Sequence, residues 1–335
     1  MSGGASTRRS FGSRLARGLL TLWALASLIF VLQSVLPADP ARMVAGAQAR
    51  PEEVARVRTQ LGLDRPLWTR YGLFWSRLAH GAEHGTDHGS CATLGPVHVD
   101  LGRSYMLRKP VVKLVADRFP NTLLLASAAF VLQMLLSLLL GIWAATRPER
   151  SRSDLALVGT SALFSVLPTF VLGVALQYVF AYRLRILPLD GAGGDGFGKG
   201  AAMILPALTL GLAGFAYGMR MVRDEIRLEL GRDHVRTARA KGASAARVLW
   251  LHALRGAAVP IATLAFLDLG MLASGAAVTE SVFRWPGLGL LSVEAVLDRD
   301  GPVVMGTVLV SGAFVVTANL LADLTLRWLD PRLRG

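Results

Sequence analysis

Five side chains able to bind a borderline metal, His80, His84, His88, His98 and Cys91, fall within residues 80–98. Imidazole suits nickel or zinc, but glycines at 81, 85 and 89 break the helix that would align the first three. The expectation is an unstructured insert with no metal role. Cys91 is the only cysteine, which excludes an internal disulfide and argues against a Cys-based zinc site. The run GAGGDG, Gly191 to Gly196, fits a dinucleotide fingerprint, and Gly193 to Lys199 approaches a phosphate-binding loop. Each needs a strand before and a helix after, and the second needs Ser or Thr where Gly200 stands. A flexible turn is the expectation. No Ser/His/Asp set and no HExxH pattern supports a hydrolase.

Three polar residues, Asp268, Asn319 and Asp323, interrupt long apolar runs. An ionised side chain in the middle of a bilayer costs about 2.5–3.5 kcal/mol on insertion scales, so these residues should face protein or water. Asp323 can reach Arg327 one turn on, a structural pairing. Asp268 has no such neighbour, and two readings stay open: it lines a water-filled path, or it contacts a neighbouring helix. Gly211, Gly214 and Gly218 make a small-residue face that suits close helix packing.

The elements that hold these residues follow from composition. The chain has 335 residues, 53% of them hydrophobic, a mean hydropathy of +0.46 and a formal charge of +13. Six apolar stretches reach the ~20 residues that cross a hydrocarbon core: 18–36, 123–145, 155–181, 201–219, 259–278 and 303–326. In lipid they must be helices, since isolated strands leave backbone groups unpaired. With the N-terminus inside, the inner segments carry 19 basic and 7 acidic residues, and the two short outer loops carry 5 and 6. The positive-inside rule therefore predicts an all-α membrane protein with six spans, N-in and C-in. Charge that follows topology in this way argues against nucleic-acid binding. The arginines at 8 and 9 ahead of the first apolar run resemble a twin-arginine export signal, but read more simply as the positive flank of a retained helix.

Residues 37–118 do not fit the charge rule, with 12 basic and 8 acidic residues outside. They are longer than the loops it governs. Helical periodicity and aromatics predict a partly folded cap, with Trp68, Phe74 and Trp75 near the interface.

Between the fourth and fifth spans lies the densest charge, RMVRDEIRLELGRDHVRTARAKGASAARVLWLHALRGAAVP, Arg220 to Pro260, with 9 of the 36 Lys and Arg. Asp233 to Lys241 can form a helix, Gly242 ends it, and Ser244 caps a second from Ala245 to about Leu254. Such a basic helical hairpin suits lipid headgroups or a soluble partner.

The segment DHVRTARAKGASAARVLWLHALRGAAVP resembles the cytoplasmic coupling loop of binding-protein-dependent ABC importer permeases, in the form used by the dipeptide/oligopeptide/nickel family, first-permease (dipeptide-permease B) type. Gly242 falls on the turn glycine of that loop. Arg236, Thr237 and Ala238 stand where the wider superfamily has Glu-Ala-Ala, a departure that follows the peptide-type version. The likeness continues through DLGRSYMLRKPVVKLVADRFPNTLLLA (Asp100 to Ala126), ILPALTLGLAGFA (Ile204 to Ala216), ESVFRWPGLGLLSVEAV (Glu280 to Val296) and the ending LADLTLRWLDPRLR.

That resemblance implies a type I ABC importer transmembrane domain, a multi-pass protein of a bacterial inner membrane that forms half of a pore. It implies a second permease subunit, two cytoplasmic ATPase subunits and an extracytoplasmic substrate-binding protein, with membrane lipid around the spans. No catalytic residue, resident cofactor or metal is expected, ATP being bound by the partner subunits. The ATPase-docking residues it implies are Arg236, Thr237, Ala238, Arg239, Lys241, Gly242, Ser244 and Arg247, and Asp268 is the candidate for the translocation path. The expected organisation is a cytoplasmic terminus 1–17, a first span 18–36, an extracytoplasmic segment 37–118, a permease core 119–329 with its coupling loop at 220–258, and a cytoplasmic terminus 330–335. Peptides are the expected substrate, with a glutathione-like molecule or nickel as alternatives. A lipid-binding scaffold is the distant rival.

Overall fold

The computed structural model describes residues 3–35, 40–46, 48–81, 91–94, 97–149, 151–191 and 198–329. His84 and His88 of the histidine stretch, and residues 192–197 of the glycine-rich turn, lie outside the described residues. The chain divides into two compact units, one of Met1–Leu15, Thr122–Trp285 and Phe314–Gly335, the other of Ala16–Asn121 and Pro286–Ala313.

Long apolar helices dominate: α1 (Gly3–Val35), α5 (Val111–Ala145), α8 (Lys199–Leu230), α11 (Leu254–Val282) and α13 (Gly301–Leu329). Five described helical stretches are long and apolar enough to cross a membrane. The expected third span is not one straight helix. It is broken into α6 (Arg152–Val166) and α7 (Thr169–Leu176), the latter continued by a π-helical segment Gln177–Arg183, with a bend of 102° between them. Pro168 explains the break, because a proline disfavours helical geometry in the residue before it, and Leu167 is extended at ψ 125°. The pair makes a sixth span only if both limbs cross together.

In the larger unit, α5 and α8 approach on small residues. A Cβ on Gly211 would meet Leu132, one on Gly214 would meet Gln133, and one on Gly218 would meet Ser137. A larger residue at any of the three would have to displace its partner's side chain, and small residues of this kind are how membrane helices gain dispersion contact where lipid offers no hydrophobic drive. Ser137 Oγ also donates to the Phe215 carbonyl at 3.1 Å. The cores here are formed by Leu125, Ala129, Leu210 and Trp285 at one end, and by Ala145, Val222, Ile226, Ala253 and Ala257 at the other.

The second unit carries the segment expected as a cap. It contains α2 (Pro40–Ala45), α3 (Pro51–Gln60), α4 (Leu67–Leu78) and a three-stranded antiparallel sheet of β1 (Ala79–Gly81), β2 (Cys91–Leu94) and β3 (Val97–Asp100), in the order β1-β3-β2. The histidine stretch is thus not irregular throughout, since His80 pairs opposite His98 in register. Phe30 of α1 packs against Tyr71 and Phe74 with centroids 5.3 and 5.4 Å apart, and Trp75 joins the cluster. Trp68 instead stands 87% exposed. The core of this unit is Val111, Val115 and Val303 with Leu288, Leu291 and Ala295 of α12 (Leu288–Leu297), a helix too short to span.

Candidate coupling hairpin and membrane polar site

The charged stretch begins as membrane helix. Instead of ending near Met219, α8 runs to Leu230 and stops at Gly231. Arg232 is then extended, and α9 (Asp233–Ala240) starts with Asp233 in its first turn, the acidic residue favoured at a helix N-terminus. Only Val235 of α9 is buried, so one side chain anchors it, and apart from the half-buried Ala238 its residues are exposed.

Gly242 has φ +83°, with nothing within 4 Å of where a Cβ would lie. Ala243 N–H donates back to Ala238 at 3.1 Å and Gly242 N–H to Arg239 at 2.9 Å, a Schellman closure that satisfies the last carbonyls of α9. Two residues later Ser244 Oγ accepts from Arg247 N–H at 3.3 Å, capping α10 (Ala245–Arg247). The second limb does not end near Leu254. It passes through a π-helical segment Val248–Ala253 directly into α11. Val248 is its buried anchor.

Of the residues expected to dock an ATPase, Arg236, Thr237, Arg239, Lys241, Gly242, Ser244 and Arg247 are exposed, and Ala238 is half-buried. Their internal ties are weak: Arg236 lies 3.6 Å from Asp233, and Thr237 Oγ1 donates to the Asp233 carbonyl at 2.9 Å. The turn therefore presents a cationic edge whose backbone is fixed and whose side chains are available.

Asp268 belongs to a different place. Its carboxylate accepts from Gln133 Nε2 of α5 at 2.8 Å, and Gln133, almost fully buried, presses on Gly214 of α8. The structure gives Asp268 the neighbour that its own helix lacks, and does not join it to the hairpin cations by any hydrogen bond or ion pair. Asp323 pairs with Arg14 of α1 at 2.5 Å, and the side chain of Arg327, the partner expected on its own helix, lies outside the described residues. Asn319 is exposed on α13. Among the described residues no group of His, Cys, Asp or Glu is arranged to hold a metal.

Two functional candidates escape a reading by sequence. Glu229, 3% exposed at the end of α8, pairs with Arg232 at 2.9 Å and lies 3.7 Å from His234, while its carboxylate fills the space over Gly256 of α11. Asp154, 2% exposed in the first turn of α6, accepts a fork from Arg223 at 2.9 and 2.8 Å and lies 3.4 Å from Arg227. Ser151 three residues before it, and the i, i+4 spacing of Arg223 and Arg227, were the only local signals.

The sequence and the fold also match known families and proteins. Residues 137–335 match the family described as the binding-protein-dependent transport system inner membrane component, and residues 8–126 match its N-terminal companion. A Brucella abortus protein, provisionally named a peptide transport system permease, is 35% identical over 324 residues, covering 96% of this chain and 97% of its own. The glutathione transport system permease GsiC of Salmonella typhimurium is 36% identical over 325 residues, again 96% and 97%. In fold, the chain is similar to a chain of the MetNI methionine ABC transporter in inward-facing conformations, with TM-score 0.55 and 18% identity over 66% of this chain and 98% of that one. A second solved amino acid ABC transporter gives TM-score 0.52 at 16% identity, over 64% and 94%. The chain belongs to the inner membrane components of binding-protein-dependent transport systems, as a multi-pass permease subunit of an ABC importer in the dipeptide and oligopeptide family.

Proposed function

We propose that this chain forms half of a peptide translocation pathway, and that the exposed edge from Arg236 to Arg247 is where a cytoplasmic ATPase subunit docks. The observation that carries the reading is continuity. One limb of the hairpin follows α8 after a two-residue break, Gly231 and Arg232, and the other runs unbroken into α11. A load applied at Gly242 therefore reaches two membrane helices without crossing a flexible loop. Closure of an ATP-bound ATPase dimer would bias the helices between inward- and outward-facing states, a population shift driven by differential contact. ATP is bound and hydrolysed on those partners, and this chain acts without a catalytic residue or a cofactor of its own.

The substrate class follows the relatives, named for peptide and for glutathione transport, and di- or oligopeptides fit both. An extracytoplasmic binding protein would deliver them. A second, homologous permease subunit would complete the pore, and exposed Asn319 supports it, because an amide facing lipid would lose its hydrogen bonds. The orientation that this reading needs is N-in and C-in, supported by the charge distribution.

The test is copurification. Tagged chain, co-expressed with its cognate ATPase subunits, should retain them in mild detergent. In a Cys91→Ser background, Ser244→Cys should react with a membrane-impermeant maleimide only after spheroplasts are opened. Labelling in sealed spheroplasts, or no ATPase in the purified complex, overturns the docking assignment.

A further inference from the structure

The unit of Ala16–Asn121 and Pro286–Ala313 contains a cavity of about 1090 Å³, at the upper end of the range of small-molecule sites. Its lining is unusual in charge. Arg65, Arg70, Arg77, Arg103, Arg108 and Arg299 border it, against one carboxylate, Asp100. Five of these six arginines lie in 37–118, the segment whose basic excess the positive-inside rule leaves unexplained. Among the described residues, Arg65, Arg70, Arg103, Arg108 and Arg299 form no ion pair with a protein carboxylate. Like charges brought together around a hollow repel one another unless an anion enters it.

Arg108 and Arg299 are held at φ 54° and 55°, a conformation that residues with a side chain adopt at a cost, and one that Arg185 and Arg284 outside the cavity share. A second feature points to an anion. Tyr105 also lines the cavity. Burial pushes its phenol above the usual value, Asp300 adds to the rise, and Arg70 and Arg77 oppose it. The hydroxyl thus stays a neutral hydrogen-bond donor at physiological pH, beside cations. Its backbone is fixed by Asp300, which accepts from Ser104 Oγ at 2.5 Å and from Tyr105 N–H and Met106 N–H at 3.2 Å. Apolar side chains including Phe30, Phe74 and Met305 complete the wall. Forked guanidiniums and a phenol donor above an apolar wall match carboxylates carried on a small organic frame.

We propose that this cavity binds an acidic peptide, a small substrate with more than one carboxylate, before it enters the pore. The proposal rests on the peptide-import reading and narrows it to anionic peptides. Concavity favours a small ligand over an acidic protein surface, which would meet a flatter patch.

The test uses the purified full-length chain in phosphatidylcholine nanodiscs, with fluorescent Glu-Glu-Glu and Lys-Lys-Lys as probes. The acidic peptide should bind and the basic one should not. Binding should weaken several-fold as salt rises from about 50 to about 300 mM, a result that needs no variant. Arg70→Gln with Arg103→Gln should weaken it about tenfold, the scale of two charge-assisted hydrogen bonds partly open to solvent. Equal affinity for the two peptides, or no response to salt and to the glutamine variants, overturns the site. So does loss of Glu-Glu-Glu binding when phosphatidylglycerol replaces phosphatidylcholine, which would assign the arginines to lipid headgroups. ATPase copurification is independent of this binding, so failure of the site and failure of the permease reading give different results.

Discussion

The carboxylate of Glu229 lies so close over Gly256 that a Cβ on the glycine would collide with it. Glu229 lies in the last turn of α8, and Gly256 in the first turn of α11. The contact fastens the two membrane helices together just above the hairpin, while Arg232, the N-cap of α9, pairs with the same carboxylate. Gly256→Ala should cost about 1–3 kcal/mol by overpacking and lower the thermal midpoint of the detergent-solubilised complex. Adding Glu229→Ala removes the obstacle, so the double variant should lose less than the sum of the singles. Strict additivity would mean that the two side chains do not meet.

Asp154 is the counterweight for two arginines of α8. Asp154→Asn leaves the Arg223 and Arg227 guanidiniums without their buried anion, a loss of about 3 kcal/mol for breaking a buried pair. Arg223→Lys keeps the charge but not the fork, and should fall between wild type and Asp154→Asn in thermal midpoint. A neutral Asp154→Asn would show that Glu149 and Asp224, which also pair with these arginines, suffice.

The hairpin was legible in the sequence because its signals are local: a glycine needed at positive φ and a serine three residues before the N–H it caps. The broken third span had its signal too, in Pro168, but hydropathy counts composition and is blind to direction. The second limb was expected to end near Leu254, yet a helix has no reason to stop at the edge of the lipid, and residues 245–282 continue as one. The short strands β1 to β3 alternate too little to be seen. Asp268 and Gln133 are 135 positions apart, and no periodicity connects them.

Asp268 meets Gln133 but is only half-buried. A carboxylate so placed inside a span is tolerated when water reaches it. In a Cys91→Ser background, Asp268→Cys should react with a small water-soluble maleimide, and transport substrate should slow the reaction. Asp268→Asn keeps an acceptor for Gln133, so it should preserve abundance while altering uptake. An unreactive cysteine with normal uptake in Asp268→Asn would make the residue a helix contact only.

Gly242 gives the sharpest test of the coupling role, because its surroundings are empty. With nothing within 4 Å of where a Cβ would lie, a small side chain there meets no neighbour, and any effect must come from the backbone at φ +83°. Asparagine visits this region with little strain, whereas a β-branched residue does not. Gly242→Asn should therefore transport near wild type, and Gly242→Val should strain the turn by about 1–3 kcal/mol. That is small beside the burial of the membrane helices, so Gly242→Val should reach the membrane at normal abundance yet redirect α10 relative to α9, with reduced ATPase copurification and lost uptake. Arg239→Glu, which leaves the turn intact, should weaken copurification in a salt-dependent way. Normal transport by Gly242→Val at normal abundance would mean that force does not pass through this turn.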